Sequence, residues 1–126
     1  HAARLRDVDM AIDVFRKAMG PAWKETLVVT VTEVGRTAAE NGSWGTDHGW
    51  GTSIFVLGGK LKKGGIVADW PGLKKNSLFE GRDLKSTIDA RSLYGHIVST
   101  AFNIEADRVQ KEVLDFELSH RFDEYI

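Results

Sequence analysis

Two short polar clusters hold the residue types that do chemistry. The first is Thr32-Glu33-Val34-Gly35-Arg36-Thr37, and the second is Gly45-Thr46-Asp47-His48-Gly49. In a chain without thiolates, carboxylates and an imidazole are the usual donors to zinc or manganese. Glu33, Asp47 and His48 are therefore candidate metal ligands. Arg36 follows Glu33 closely and suits an anionic, oxygen-rich group such as phosphate or sulfate, which a planar guanidinium grips at two points. Each residue also has a plainer use. Glu33 can cap a helix or pair with Arg36. Asp47 can make an Asx turn in a glycine-rich loop, and His48 can tie that loop to itself. Trp44 and Trp50 flank the second cluster. An indole there can stack on a sugar ring, although packing that pins the loop is the commoner role. His96 falls on a helical pattern and reads as a surface or packing residue, and His120 in the tail carries no signal.

The elements that must position these clusters follow from periodicity. Leu5, Val8, Ile12, Phe15 and Met19 recur at steps of three and four, one face of a helix that Gly20-Pro21 ends. Thr26 to Thr32 is rich in β-branched residues and almost continuously apolar, as expected of a strand covered on both faces in a parallel α/β arrangement. Residues 34–51 lose all pattern, with glycine at 35, 42, 45, 49 and 51. A loop of that length is usually functional or disordered. Ser53 to Leu57 reads as a second central strand, and Ile66-Val67-Ala68 as a short third. In open α/β sheets ligands gather beyond the carboxyl ends of strands, which puts Glu33 in a favourable place. Ser86 is a candidate cap for a helix with Ala90, Leu93, Ile97 and Ala101 inward, ended near Asn103. A last helix spans about Glu105 to Phe116, with Val109, Val113 and Phe116 inward. The tail from Leu118 to Ile126 shows no clear period.

Bulk properties exclude several function classes. The 126 residues suit one domain with a modest core. Seventeen basic residues against eighteen acidic give no electrostatic footprint for nucleic acid. The run Lys60-Leu61-Lys62-Lys63 is short and reads as a solvated turn. No cysteine is present, so disulfides, thiol catalysis and Cys-ligated zinc are out. No segment approaches the ~20 apolar residues of a membrane span.

Taken in order, Thr26-Leu27-Val28-Val29, the Glu33-Val34-Gly35-Arg36-Thr37 cluster, Asn41-Gly42 and Asp47-His48-Gly49 form a recognisable series. Gly58-Gly59, Lys63-Gly64-Gly65, Asp69-Trp70-Pro71-Gly72-Leu73 and Leu78 to Leu84 continue it. The series resembles the bacterial family of the domain of unknown function 1501, sulfatase-like proteins often exported with a twin-arginine signal. That family is similar to a distant branch of the alkaline phosphatase superfamily. The resemblance implies the C-terminal part of an alkaline-phosphatase-like α/β sheet with flanking helices, about three strands and three helices, all 126 residues being one such piece of a longer protein. It also implies a divalent metal (zinc, manganese or calcium) and an anionic small-molecule or glycan ester as substrate. The compartment it implies is periplasmic or secreted.

In that superfamily a strand of this type ends in Asp-His, both metal ligands. Glu33 falls on the Asp position and can ligate; Val34 falls on the His position and cannot. His48 resembles a further ligand histidine, with Asp47 as a second ligand or a partner orienting the imidazole. Arg36 is the candidate catalytic residue, placed to stabilise charge on non-bridging oxygens. Trp44 and Trp50 are the candidate substrate contacts. No residue matches the expected nucleophile, neither Thr37 nor Ser43 fitting its position, so this chain alone is expected to be inactive. Cut sheet edges are expected to favour self-association.

Overall fold

The computed structural model describes residues 2–126, the side chain of His120 excepted. Helix α1 spans Ala2–Met19 and passes into a 3-10 turn, Gly20–Glu25, through Gly20 at φ +51° and Pro21. Edge-on packing of Phe15 against Trp23, at 6.4 Å between ring centres, ties the end of α1 to that turn.

Four strands follow, each two residues long: β1 Val28–Val29, β2 Gly35–Arg36, β3 His48–Gly49 and β4 Val56–Leu57. The mixed helix-and-strand class read from the sequence holds. The two strands expected at its centre do find each other, but they pair antiparallel, Val28 with Leu57 and Val29 with Val56. Antiparallel pairing corrects the parallel expectation. Both strands are half-buried rather than covered on both faces, and Val31 and Phe55 at their ends are exposed. One step further along, the Thr30 N–H donates to the Phe55 carbonyl at 3.0 Å, while the Phe55 N–H donates to the Thr30 hydroxyl at 2.9 Å. A side-chain oxygen thus takes the place of a ladder carbonyl and stops the sheet there. The short strand expected at 66–68 is absent, and Ile66 is almost fully exposed.

Helix α2 spans Ala90–Phe102. Its cap is Asp89, not Ser86: the carboxylate accepts from the Arg91 N–H at 2.9 Å and from the Arg91 guanidinium at 3.0 and 2.8 Å. This charge pair at the amino end of a helix is favourable twice, through the orphan N–H groups and through the dipole. Asn103 ends the helix in the left-handed region, as its short polar side chain permits. A single turn α3, Ala106–Arg108, continues into a π-helical segment Val109–Leu114. Val109 faces inward and is fully buried, whereas Val113 points to solvent.

The core lies where periodicity was weakest. Leu93 of α2, Phe122 and Ile126 form its centre, with Leu27, Ile54, Val56, Ile97 and Tyr125 packed around them. The patternless tail therefore supplies Leu118, Phe122 and Ile126, all buried. Gly95 makes room for it: a Cβ at that position would collide with the Leu118 side chain. On α2 the buried positions are Ser92, Leu93, Gly95 and His96; of the expected face Ala90, Leu93, Ile97 and Ala101, Leu93 is buried and Ile97 packs against the core, while Ala101 is exposed. His96 is a packing residue, as read. Its Nε2 lies 2.6 Å from the Ser119 carbonyl and its Nδ1 3.2 Å from the Asp123 carboxylate, with the Phe122 ring against its edge. The tail is also clamped to the basic turn: the Lys62 N–H donates to the Tyr125 carbonyl at 2.9 Å, and Lys63 pairs with Glu124.

Candidate functional site

The segment 34–51 that lost all pattern is built by hydrogen bonds instead of by apolar burial. It folds back on itself as an antiparallel ribbon, Gly35 facing Gly49 and Arg36 facing His48. Glycine at 35 is required by approach distance, since a Cβ there would run into the Trp50 carbonyl carbon. Thr37, 6% exposed, is the fastener. Its N–H donates to the Asp47 carbonyl at 3.1 Å, and its hydroxyl accepts from the Asp47 N–H at 3.0 Å. The loop tip is organised by Asn41, whose side-chain oxygen accepts from the Ser43 and Gly45 N–H groups at 3.0 and 3.1 Å. Trp44 sits within that turn at φ +57°, its N–H donating to the Asn41 carbonyl at 3.2 Å.

A second segment supports the ribbon from the side. The Leu84 N–H donates to the Arg36 carbonyl at 3.1 Å, the Gly51 N–H to the Leu84 carbonyl at 2.7 Å, and the Ala38 N–H to the Arg82 carbonyl at 3.0 Å. The Arg82 guanidinium reaches over to the His48 carbonyl at 2.9 Å and also pairs with Asp83 at 3.2 Å. The Trp50 ring stacks on Phe79 at 4.9 Å with only 16° between planes, which joins the two segments on their apolar side.

Each candidate residue can now be placed. Arg36 and His48 are directly opposite across the ribbon, so their side chains leave the same face. The Arg36 guanidinium donates through Nε to the Thr46 hydroxyl at 2.8 Å and through Nη2 to the Thr46 carbonyl. It is held rigid and half-buried, spanning the turn rather than reaching away from it. Asp47 points to the other face, where one carboxylate oxygen accepts from the Asn41 amide at 2.9 Å. His48 is exposed, and so is Glu33, which stands on the bend before β2. Two residues, Val34 and Gly35, separate Glu33 from Arg36, at most roughly 10 Å of chain from one Cα to the other. Among the described residues no group of three or more His, Asp or Glu side chains is arranged to hold a metal ion. The donors at 33, 47 and 48 thus make no closed metal site with one another. Trp44 is 79% exposed and Trp50 61%.

The structure also has an open cleft of about 420 Å³ that the residue types did not point to. It lies between the start of α2 and the tail, lined by Asp89, Ser92, Phe116, Leu118, Ser119 and Arg121. None of the candidate residues reaches it. The signal that could have found it is the four-residue spacing of Leu118, Phe122 and Ile126, which folds the tail over α2. Charge pairs frame this region. Arg121 holds the Asp69 carboxyl below its usual range through a 2.8 Å contact, and Arg91 does the same to Asp89.

Residues 1–114 match the sequence profile of a family described as protein of unknown function (DUF1501). The chain belongs to that family. No curated protein and no solved structure matches it. The matched span takes in α1, all four strands and both faces of the ribbon, and it stops at the end of the π-helical segment, short of the tail residues that close the core. No helix is long and apolar enough to cross a membrane among the described residues.

Proposed function

We propose that this chain is the C-terminal portion of an exported, alkaline-phosphatase-like and sulfatase-like protein that hydrolyses phosphate or sulfate esters with a divalent metal. The observation that supports the reading is the meeting of the two chemical clusters. Arg36 and His48 lie twelve positions apart in sequence and face each other across one ribbon. An imidazole open to solvent beside a fixed guanidinium can bind and orient an anionic ester oxygen. Arg36 is pre-ordered by Thr46, so its charge is held in place before substrate arrives, and little side-chain entropy is lost on binding. Metal, when bound, would lower the pKa of a nucleophile and polarise the ester bond. This chain does not hold it unaided, since Glu33, Asp47 and His48 do not close into a ligand group. The isolated chain is therefore expected to turn over no ester. Metal analysis of the purified full-length protein tests the proposal: His48→Ala should lower metal content well below wild type. Equal metal in both would refute it.

A second reading is favoured by different contacts. Asp47 and Arg36 spend hydrogen bonds inside the loop, and Val34 stands where the superfamily has a ligand histidine. A family member that kept the fold and lost the chemistry would act as a binding or envelope-assembly module, with the exposed faces of Trp44 and Trp50 making glycan contacts. Metal-dependent turnover of aryl phosphates or aryl sulfates by the full-length protein separates the two, because only the first reading allows it.

A further inference from the structure

Among the described residues His96 is the only buried titratable side chain, and the ribbon makes no use of it. Both of its ring nitrogens face oxygens of the tail. Nε2 lies 2.6 Å from the Ser119 carbonyl and Nδ1 3.2 Å from the Asp123 carboxylate. A carbonyl has no proton to give, and an ionised carboxylate has none either. The two contacts therefore need two N–H groups, and a neutral imidazole has one. With Nε2 holding that one, Nδ1 turns a lone pair toward the carboxylate. The His96 side chain is only 11% exposed, so water has little access to separate the two. The charged groups around this contact are engaged elsewhere. From the basic turn, Lys62 donates to the Asp123 carbonyl at 2.8 Å, and Lys63 pairs with Glu124. On the tail, Arg121 pairs with Asp69. On the helical segment packed against α2, Arg108 pairs with Glu112 and Lys111 with Asp107. Asp123 supplies the charge that faces the ring.

We infer that His96 is a pH-sensitive latch on the tail. The imidazolium donates to Ser119 and Asp123 together and so holds Phe122, which lies between them in sequence, against Leu93. Loss of the ring proton keeps the Ser119 bond and removes the Asp123 bond. Because the docked tail favours the protonated ring, the latch is closed below the ordinary histidine range and opens as pH rises through it, about pH 5 to 8. Its release reaches further than the tail. Phe122 and Ile126 pack against Leu27, Ile54 and Val56, which flank or form β1 and β4. The latch thus ties the footing of the ribbon to proton concentration, whatever the ribbon binds.

Hydrogen exchange of the full-length protein by mass spectrometry, from about pH 5.5 to about pH 8.5 and corrected for the intrinsic pH dependence of exchange, tests this. Opening of the peptide from Ser119 to Ile126 should rise roughly three- to tenfold across that range. That is the worth of one hydrogen bond to a charged group, discounted because the Asp123 side chain is 51% exposed. His96→Gln keeps a donor for Ser119 and has no charge to lose, so opening should not change with pH. Asp123→Asn, at a half-exposed position that disturbs no core packing, offers an amide donor to a neutral Nδ1 and should flatten the response too. His120→Gln removes the histidine of the tail itself and should keep the wild-type response. A pH-independent wild-type tail, a response that survives His96→Gln or Asp123→Asn, or one that His120→Gln abolishes would overturn the latch.

Discussion

Replacing Thr37 by valine removes one oxygen and keeps the shape of the side chain, so it isolates what the hydroxyl does. That hydroxyl donates to the Ala39 carbonyl at 3.2 Å and accepts from the Asp47 N–H at 3.0 Å, in a side chain almost wholly buried. A typical intramolecular hydrogen bond contributes about 1 kcal/mol net, and a buried donor left without a partner costs about 1–3 kcal/mol. The Ala39 carbonyl is near solvent and can recruit water, so its loss counts little. The Asp47 N–H sits in a part-buried contact with the Thr37 hydroxyl, and its loss sets most of the cost. The change should therefore destabilise the ribbon by about 1–3 kcal/mol, which is about a 5- to 150-fold rise in opening at 1.4 kcal/mol per tenfold. Amide hydrogen exchange read residue by residue is the assay. Exchange at Asp47 and Thr37 should speed up by that factor, while Leu93 and Val109 in the helices stay unchanged. Thr37→Ser keeps the hydroxyl and should stay near wild type. If valine leaves exchange at Asp47 unaltered, the ribbon is not fastened by the Thr37 hydroxyl.

Two other perturbations follow from the packing and the charges. Gly95→Val fills the space that the Leu118 side chain occupies; overpacking of this kind costs about 1–3 kcal/mol, to be read as a lower urea midpoint with unchanged slope. The pH response has a definite sign. Arg121 beside Asp69, Arg91 beside Asp89 and Lys63 beside Glu124 hold these three carboxyls below their usual values of 3.8, 3.8 and 4.5. A carboxyl depressed in the folded chain adds stability above its unfolded pKa and loses it as pH falls through the folded one. Through these pairs melting temperature should therefore be flat near neutrality and fall as pH drops below about 4. The decline should be shallow, since all three pairs are exposed. Salt should flatten it further, and a melting temperature that rose over that acid range would contradict the assignment of these pairs.

The helices were legible because their signals are local. The α1 stripe, the Gly20-Pro21 stop and the Asn103 cap each need only neighbouring residues, and each appears where the residues put it. Cap choice was less so: Asp89 outcompetes Ser86 because Arg91 two residues on can grip its carboxylate. The ribbon was invisible to hydrophobic period because its contacts are polar and backbone-to-backbone. The glycines at 35 and 49 are the places where two strands of the ribbon touch without side chains between them. The direction of β1 against β4 was not legible, since nothing in an apolar run states which neighbour it will pair with. The tail defeated periodicity for a different reason. Leu118, Phe122 and Ile126 keep a four-residue spacing, but loop and 3-10 geometry rather than a regular helix separates them, so three such positions alone do not mark a helical face.

The tail and the ribbon are nonetheless coupled. Leu27, Ile54 and Val56, which flank or form β1 and β4, pack against Leu93, Phe122 and Ile126. The ribbon is inserted between those two strands, and its base is fixed where Thr30 and Phe55 exchange two hydrogen bonds. A disturbance of the tail can therefore travel along β1 and β4 to the base of the ribbon without touching Arg36 or His48. The lateral support from residues 82–84 and the Trp50–Phe79 stack stand outside that route. The position of His48 is thus set twice, once from below by the core and once from the side. Loss of either support alone should loosen the ribbon while leaving the Arg36–His48 pairing in place.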